Sequence, residues 1–303
     1  MHNNEYHIIR THGLTKNFGT ACAVNNIDLL VPQGSVYGFL GPNGSGKSTT
    51  MKLLLGLIQP TAGEVFLMGQ KLTKTSRPEL LPHIGSMIEA PPGYGHLTGW
   101  ENLKIIQTML GLPERNITWA LDTVRLTKNK DKLVKNYSLG MKQRLGIAMA
   151  LARQPHILIL DEPTNGLDPA GIEEIRSLIT HLAEQGITIM VSSHLLDEID
   201  KTATVLGIIN NSSLIFQGSR EELFGQSLPD LIIETDHAHQ LHNFSGAHML
   251  NPTTVRLPNL TKPEGAQLLW QLHNQGAQIF EAKRAQQSLE EIFMNLTAQG
   301  QLQ

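Results

Sequence analysis

Gly41-Pro42-Asn43-Gly44-Ser45-Gly46-Lys47-Ser48, followed by Thr49, decides how this chain is read. The apolar run Val36-Tyr37-Gly38-Phe39-Leu40 precedes it and reads as a buried strand, while Leu53, Leu54 and Leu57 follow it at helical spacing. A glycine-rich turn between a strand and a helix gathers backbone N–H groups around one point, and the helix N-terminus adds a potential favourable to anions. Gly41, Gly44 and Gly46 open backbone conformations closed to other residues. Lys47 supplies a point charge for the β- and γ-phosphates, and Ser48 a hydroxyl for Mg²⁺. Strand, loop and helix occur in the order a phosphate-binding loop requires, so the stretch predicts a nucleoside triphosphate site.

The composition bounds what surrounds that site. A chain of 303 residues with 40% apolar and 17% charged residues suits a soluble protein with one large and one smaller domain. A formal charge of −3 offers no basic face for nucleic acid. One cysteine, Cys22, excludes an internal disulfide and fits a reducing compartment; between Ala21 and Ala23 it reads as a small structural residue. The opening residues lack the basic and apolar stretches of a signal peptide, and no run of about 18 apolar residues occurs. Any membrane function therefore calls for another chain to supply the span.

Further along, Val65-Phe66-Leu67-Met68 reads as a strand after the turn at Pro60–Gly63. Thr98 and Glu101 form a capping box, with Leu103, Ile106 and Leu110 on one helical face, and helical character continues to about residue 152. Ile157-Leu158-Ile159-Leu160 is an apolar strand ending in Asp161 and Glu162. Ile175, Leu178, Ile179 and Leu182 mark a helix, and Ile187–Val191 the next strand. Buried strands alternating with helices predict an α/β fold, a mostly parallel sheet with a helical insertion at about 90–152.

The pattern changes after residue 224. Thr261 and Glu264 cap a helix with Leu269, Trp270 and His273 near one face, and Ala277–Ala282 reads as a strand. Ser288 and Glu291 then cap a last helix with Leu289, Ile292, Phe293 and Leu296 on one face. Residues 225–303 are thus expected to form a small α+β module behind a domain at 1–224. His237, His239 and His242, with Asp236, read as a polar surface loop rather than a metal site, because their spacing fits no regular ligand geometry.

Asp161 and Glu162 stand at the exposed end of their strand. Beside a phosphate-binding loop, an aspartate there holds Mg²⁺ through its water shell, and the next carboxylate takes a proton from attacking water. Tyr137-Ser138-Leu139-Gly140-Met141-Lys142-Gln143-Arg144 lies 23 residues before Asp161, counting from Ser138. At this point the chain resembles the ATP-binding subunits of ABC transporters, whose signature runs LSGGQQQR; Ser138, Gly140, Gln143 and Arg144 match it, and Tyr137, Leu139, Met141 and Lys142 depart from it. Ser138 and the N–H of Gly140, at a helix N-terminus, are suited to a γ-phosphate.

The resemblance covers residues 8 to about 224 and implies a P-loop ABC ATPase fold with a helical subdomain. It implies further roles along the chain. Phe18 occupies the place of an aromatic that stacks on adenine, with a core phenylalanine as the alternative. Asn165-Gly166-Leu167-Asp168 matches the loop that crosses between two subunits, and His194 the histidine at the γ-phosphate, where a core or surface histidine is the alternative. Where most such subunits carry a glutamine, this chain has Glu89. A carboxylate about 7 Å from a phosphate charge costs roughly 2–3 kcal/mol at an effective dielectric of about 20, a sign that Mg²⁺ reverses if Glu89 faces it. Glu89, Gly95–Gly99 and the tail Ser288-Leu289-Glu290-Glu291-Ile292-Phe293 are similar to the subfamily serving bacitracin and lantibiotic immunity exporters. What the resemblance implies is a homodimer sandwiching two ATP on the inner face of a cell membrane. It would drive separate permease subunits and export an antimicrobial peptide. Other cargoes (drugs, lipids, polysaccharides) stay open, and one cassette without a coiled coil or basic tail argues against a ribosome- or DNA-directed ATPase.

Overall fold

The computed structural model describes residues 6–89, 91–193, 199, 201–225, 228–244, 246–258, 260–285 and 288–299. They divide into two compact units, Met1–Ser219 and Arg220–Gln303.

The first unit begins with β1 (His7–Phe18), β2 (Ala21–Ile27), β3 (Leu30–Pro32), β4 (Val36–Leu40), α1 (Lys47–Leu54), β5 (Ala62–Leu67) and β6 (Gln70–Lys71). It continues through α2 (Arg77–Leu80), β7 (Ile84–Met87), α3 (Gly99–Leu110), α4 (Glu114–Thr123) and α5 (Leu139–Leu151). The remainder is β8 (Ile157–Asp161), α6 (Pro169–Glu184), β9 (Thr188–Ser193), β10 (Val205–Asn210) and β11 (Ser213–Ser219). The central sheet has the order β11-β10-β4-β9-β8-β7 and is parallel except for the edge pair β10–β11. Every residue of β4, β8 and β9 is buried, as expected of parallel strands covered on both faces. Their apolar runs supply Tyr37, Phe39, Ile157, Ile159 and Met190 to the main core, where α1 adds Met51, Leu53 and Leu54.

Register carries the sheet to function. Leu40 lies opposite Ser193 and Asp161 opposite Ser192, so the ends of three adjacent strands meet at one edge. The phosphate-loop sequence leaves from the first of these strands and the carboxylate pair from the third. Ligands of open α/β sheets bind at such carboxyl edges.

A second sheet, β2-β1-β5-β6 with β3 also on β1, is antiparallel throughout. The sequence reading did not separate it from the central sheet, because its strands alternate imperfectly and β1 is broken by bulges at Leu14, Lys16 and Asn17. Other boundaries also moved. Helix α1 stops at Leu54, Gly56 takes φ of 61°, and Leu57, expected on the helix, lies exposed beyond it. Met68, expected in a strand, turns at φ of 51° one residue past β5. The insertion has the anticipated capping box, with Glu101 N–H donating to Thr98 and Thr98 N–H to Glu101. Leu103 of α3 is buried, Ile106 half-buried and Leu110 exposed.

The second unit contains α7 (Arg220–Gly225), β12 (Asp230–Thr235), β13 (His248–Asn251), β14 (Thr254–Leu257), α8 (Lys262–Asn274), β15 (Ile279–Ala285) and α9 (Leu289–Gln299). Its sheet, β13-β14-β12-β15, is antiparallel. Leu231, Ile233, Val255 and Leu257 form its core with Leu268 and Leu272 of α8. That corrects the face expected for this helix: Gly265, Leu268 and Leu272 face inward, Leu269 is half-buried, and Trp270 and His273 are exposed. The last strand also starts two residues later than expected and runs to Ala285. On α9, Ser288 and Glu291 make the anticipated reciprocal cap and Leu289, Ile292 and Phe293 are buried; the side chain of Leu296 lies outside the described residues. Arg256 donates through Nε to Asp230 (2.5 Å) and through Nη2 to Glu291 (2.8 Å), tying α9 to the sheet.

Candidate nucleotide-hydrolysis site

The loop between β4 and α1 is held by close packing at two glycines and by side-chain bonds from α1 to its carbonyls. A Cβ at Gly41 would lie 2.4 Å from the Ile209 carbonyl oxygen, and one at Gly46 2.3 Å from that of Ala23. Gly46 also takes φ of 109°. No larger residue fits at either position without moving backbone. Among the described residues Gly44, at φ of 80°, meets nothing within 4 Å of its would-be Cβ, and Pro42, Asn43 and Gly44 form the exposed lip.

Lys47, at the first position of α1, is buried beneath that lip. Its Nζ donates to the carbonyls of Gly41 (2.7 Å) and Pro42 (3.2 Å) and stands 3.8 Å from Glu162 Oε1. Burial pushes the ammonium's pKa down, and Glu162 and then Asp161 oppose that shift. Ser45 Oγ is buried without a hydrogen-bond partner among the described residues. An orphan hydroxyl on a glycine cradle is an unmet polar group of the kind a phosphate oxygen satisfies. Ser48 and Thr49, half-buried in the first turn of α1, complete the loop.

Across from the loop, one serine arranges both carboxylates. Ser192 Oγ donates to Asp161 Oδ1 (2.6 Å) and accepts from the Glu162 N–H (2.9 Å). Asp161 and Ser192 are buried, while Glu162 is partly open. Glu162 sits at φ of 47°, and Glu89 at φ of 67°. The left-handed region costs a non-glycine residue about 1–2 kcal/mol, so both turns are maintained by their surroundings. Among the described residues no group of three or more His, Cys, Asp or Glu could hold a metal ion. Mg²⁺ does not need one, since it keeps several waters and takes one or two protein ligands beside substrate phosphates. The donor set of Ser48 and Asp161 fits that habit.

Glu89 has a partner the sequence reading did not identify. Its Oε1 lies 2.6 Å from Nζ of Lys52, on α1 one turn beyond Ser48. The hydrogen bond and the charge of Lys52 hold the Glu89 carboxyl below the usual carboxylate range. The carboxylate is thus neutralised by α1 itself, which removes the repulsion its position raises. The two residues are 37 positions apart, so no local spacing in the sequence signals the pair.

The remaining candidates fall into two groups. Ser138 N-caps α5 by accepting from Met141 N–H (3.2 Å), and Asp168 N-caps α6 by accepting from Gly171 N–H (3.0 Å). Leu139 links the two loops, for a Cβ on Gly166 would lie 3.1 Å from its Cδ2. Among the described residues Gly140 has only Leu167 near, at 3.8 Å from its would-be Cβ. Phe18 ends β1, 53% exposed, with Lys16 Nζ 4.9 Å from its ring centre, so it is no core phenylalanine. His194 lies outside the described residues. Cys22 is exposed, and His237 pairs with Asp236 at 2.6 Å.

A triphosphate loop at the end of one parallel strand, with a carboxylate pair two strands away, defines a P-loop nucleotide hydrolase. Residues 24–165 match the family model described as ABC transporter. The lantibiotic transport ATP-binding protein SrtF of Streptococcus pyogenes is 43% identical over 227 residues, 73% of this chain and 97% of SrtF. The bacitracin transport ATP-binding protein BcrA of Bacillus licheniformis is 49% identical over 210 residues, 69% of this chain and 68% of BcrA. Among solved structures, cbiO1 of Clostridium perfringens, part of the ABC transporter complex cbiONQ, superposes with a TM-score of 0.68 at 28% identity, covering 73% of this chain and 92% of cbiO1. The chain belongs to the ABC transporter ATP-binding proteins, ATPases whose hydrolysis is coupled to transport.

Proposed function

We propose that this ATPase powers a separate permease that exports a lantibiotic- or bacitracin-type antimicrobial peptide and so confers immunity or resistance. The observation that carries the proposal is Glu89, paired with Lys52 at the place where the family resemblance leads one to expect glutamine, in a chain 43–49% identical to SrtF and BcrA. Among the described residues no helix is long and apolar enough to cross a membrane; the place on the inner membrane face against permease subunits rests on the likeness to the transport ATP-binding proteins SrtF and BcrA.

In this reading the cradle of Gly41–Thr49 binds the ATP phosphates, Lys47 neutralises their charge, and Phe18 stacks on adenine. Ser48 and Asp161 would hold Mg²⁺, with Glu89 nearby; the ion supplies charge neutralisation at the β- and γ-phosphates. Glu162 takes a proton from the attacking water, and His194 contacts the γ-phosphate. Ser138 and Gly140 cap the ATP of a second copy, with Asp168 beside the interface. Two copies therefore sandwich two ATP and separate after hydrolysis, the bistable step that transport uses.

The test is to express the chain with the permease genes beside it in a sensitive bacterium and measure tolerance to bacitracin and a lantibiotic panel. Raised tolerance to at least one peptide, lost with Glu162→Gln and reduced with Glu89→Gln, is expected. Unchanged tolerance to every peptide overturns the peptide cargo in favour of another.

A further inference from the structure

A cavity of about 250 Å³ lies away from the nucleotide site, between the end of α4, the middle of α5 and the outer face of α6. Glu174, Ser177, Leu178 and His181 present one stripe of α6 to it, at the i, i+3, i+4, i+7 spacing of a helical face. Arg144 of α5 and Asp122–Arg125 form the opposite wall, so two carboxylates, Glu174 and an Asp122 held by the Thr127 hydroxyl, line the cavity beside the two arginines. Sites for drug-sized ligands span about 300–1,000 Å³, so this one suits a smaller molecule.

The chemistry of the wall is dominated by a poorly engaged arginine. Arg144 Nη1 reaches the Val124 carbonyl oxygen at 3.5 Å, Nη2 reaches Glu174 Oε2 at 3.5 Å, and Nε is buried without a hydrogen-bond partner among the described residues. Charge-assisted hydrogen bonds of a guanidinium to a carboxylate run about 2.7–2.9 Å, so the Glu174 contact is an ion pair at arm's length. A guanidinium has five N–H donors, and leaving buried donors unmet is costly. Arg125, exposed at φ of 56°, adds a second cation to the rim, and the exposed Ser177 a hydroxyl. Val124 and Leu178 give the floor an apolar surface for a short carbon skeleton.

We propose that this cavity binds a small oxyanion-bearing molecule, a carboxylate or a phosphate, whose charged head is taken by Arg144 and Arg125 and whose body rests on Val124 and Leu178. Because Arg144 belongs to the helix that starts at Ser138 and Ser177 to the helix that starts at Asp168, an occupant braces those two helices against each other.

Isothermal titration of the whole chain with glutarate and, separately, with inorganic phosphate, each in excess non-hydrolysable ATP analogue to fill the nucleotide site including its γ-phosphate position, tests the assignment. The variants are Arg125→Ala, which removes the rim cation, and Ser177→Phe, which fills the cavity from an exposed position. His83→Ala, in the segment before β7, is the control, and circular dichroism checks each fold. Saturable binding of one probe, weakened tenfold or more by either variant and unchanged in the control, supports the proposal. Which probe binds distinguishes a carboxylate from a phosphate ligand. Absence of saturable binding by both probes, or binding indifferent to both variants, overturns it. The readout is binding rather than hydrolysis or peptide tolerance, so its outcome is independent of the transport reading.

Discussion

Replacing Ser192 by alanine removes a hydroxyl that serves two carboxylate residues at once. It donates to Asp161 Oδ1 at 2.6 Å and accepts from the Glu162 N–H at 2.9 Å, with Ser192 fully buried and Asp161 4% exposed. A hydrogen bond to a charged group contributes about 1.5–3 kcal/mol and a neutral one about 0.5–1.5 kcal/mol, and the orphaned partners stay largely out of reach of water. Because the two bonds share one atom, they are not independent, and a total loss of about 2–4 kcal/mol is expected. With a urea slope of about 2–3 kcal/mol per molar, the unfolding midpoint of the first unit falls by about 0.7–2 M. The measurement uses a Trp270→Phe background, since Trp270 is exposed in the second unit and its removal leaves the fluorescence to Trp100 and Trp119. Steady-state ATP hydrolysis is measured alongside. A tenfold or greater fall in kcat corresponds to about 1.4 kcal/mol of lost transition-state positioning. A midpoint within about 0.3 M of the parent, below about 1 kcal/mol on the same slope, together with normal kcat, refutes the view that Ser192 organises the pair.

Glu162→Gln is expected to keep ATP binding and lower single-turnover hydrolysis by about 10²- to 10⁴-fold, the range for a lost general base; turnover near the parent's level excludes Glu162 from that role. The same substitution removes the largest influence that raises the Lys47 pKa against burial, so the alkaline loss of ATP binding should move to lower pH, as read by nucleotide titration across a pH series. In Lys52→Ala, the Glu89 carboxyl should titrate nearer the ordinary carboxylate value, followed by carbon-detected NMR; no upward movement means Lys52 does not hold it. In the second unit, Arg256 holds the Glu291 carboxyl below its unfolded value. That contribution is complete above the unfolded pKa and is lost as pH falls through the depressed folded one. Acid unfolding should therefore lose part of its pH dependence in Glu291→Gln, and an identical acid limb counts against the pair.

The parts legible in the sequence are those whose chemistry is local. The loop at 41–48 names its own conformation through Gly41 and Gly46, where no Cβ fits, and the capping boxes at Thr98, Thr261 and Ser288 announce three helices by hydrogen bonds spanning three residues. Strands β4 and β8 were readable because burial on both faces makes them uniformly apolar. What escaped depends on partners distant in sequence. The separate antiparallel sheet exists through the pairing of β1 with β5, whose partners stand some fifty residues apart, as Ile9 opposite Leu67 shows. Lys52 acquires meaning only once Glu89 is folded against it, and Ser192 only once β9 lies beside β8. On α8 the inward face shifted by one residue from Leu269 to Leu268, because Trp270 attracts a reading by hydrophobicity although it is exposed.

The left-handed backbones of Glu89 and Glu162 set a trade-off between durability and turnover. Asparagine adopts that conformation more readily than glutamate, so a search for hardened variants of this protein would drift toward Asn at both places. Such variants would gain thermal tolerance by discarding the group that pairs with Lys52 and the one nearest Lys47. On the proposed roles, two of the site's carboxylates stand where the backbone is least comfortable, and a screen for stability alone would select variants that lack them.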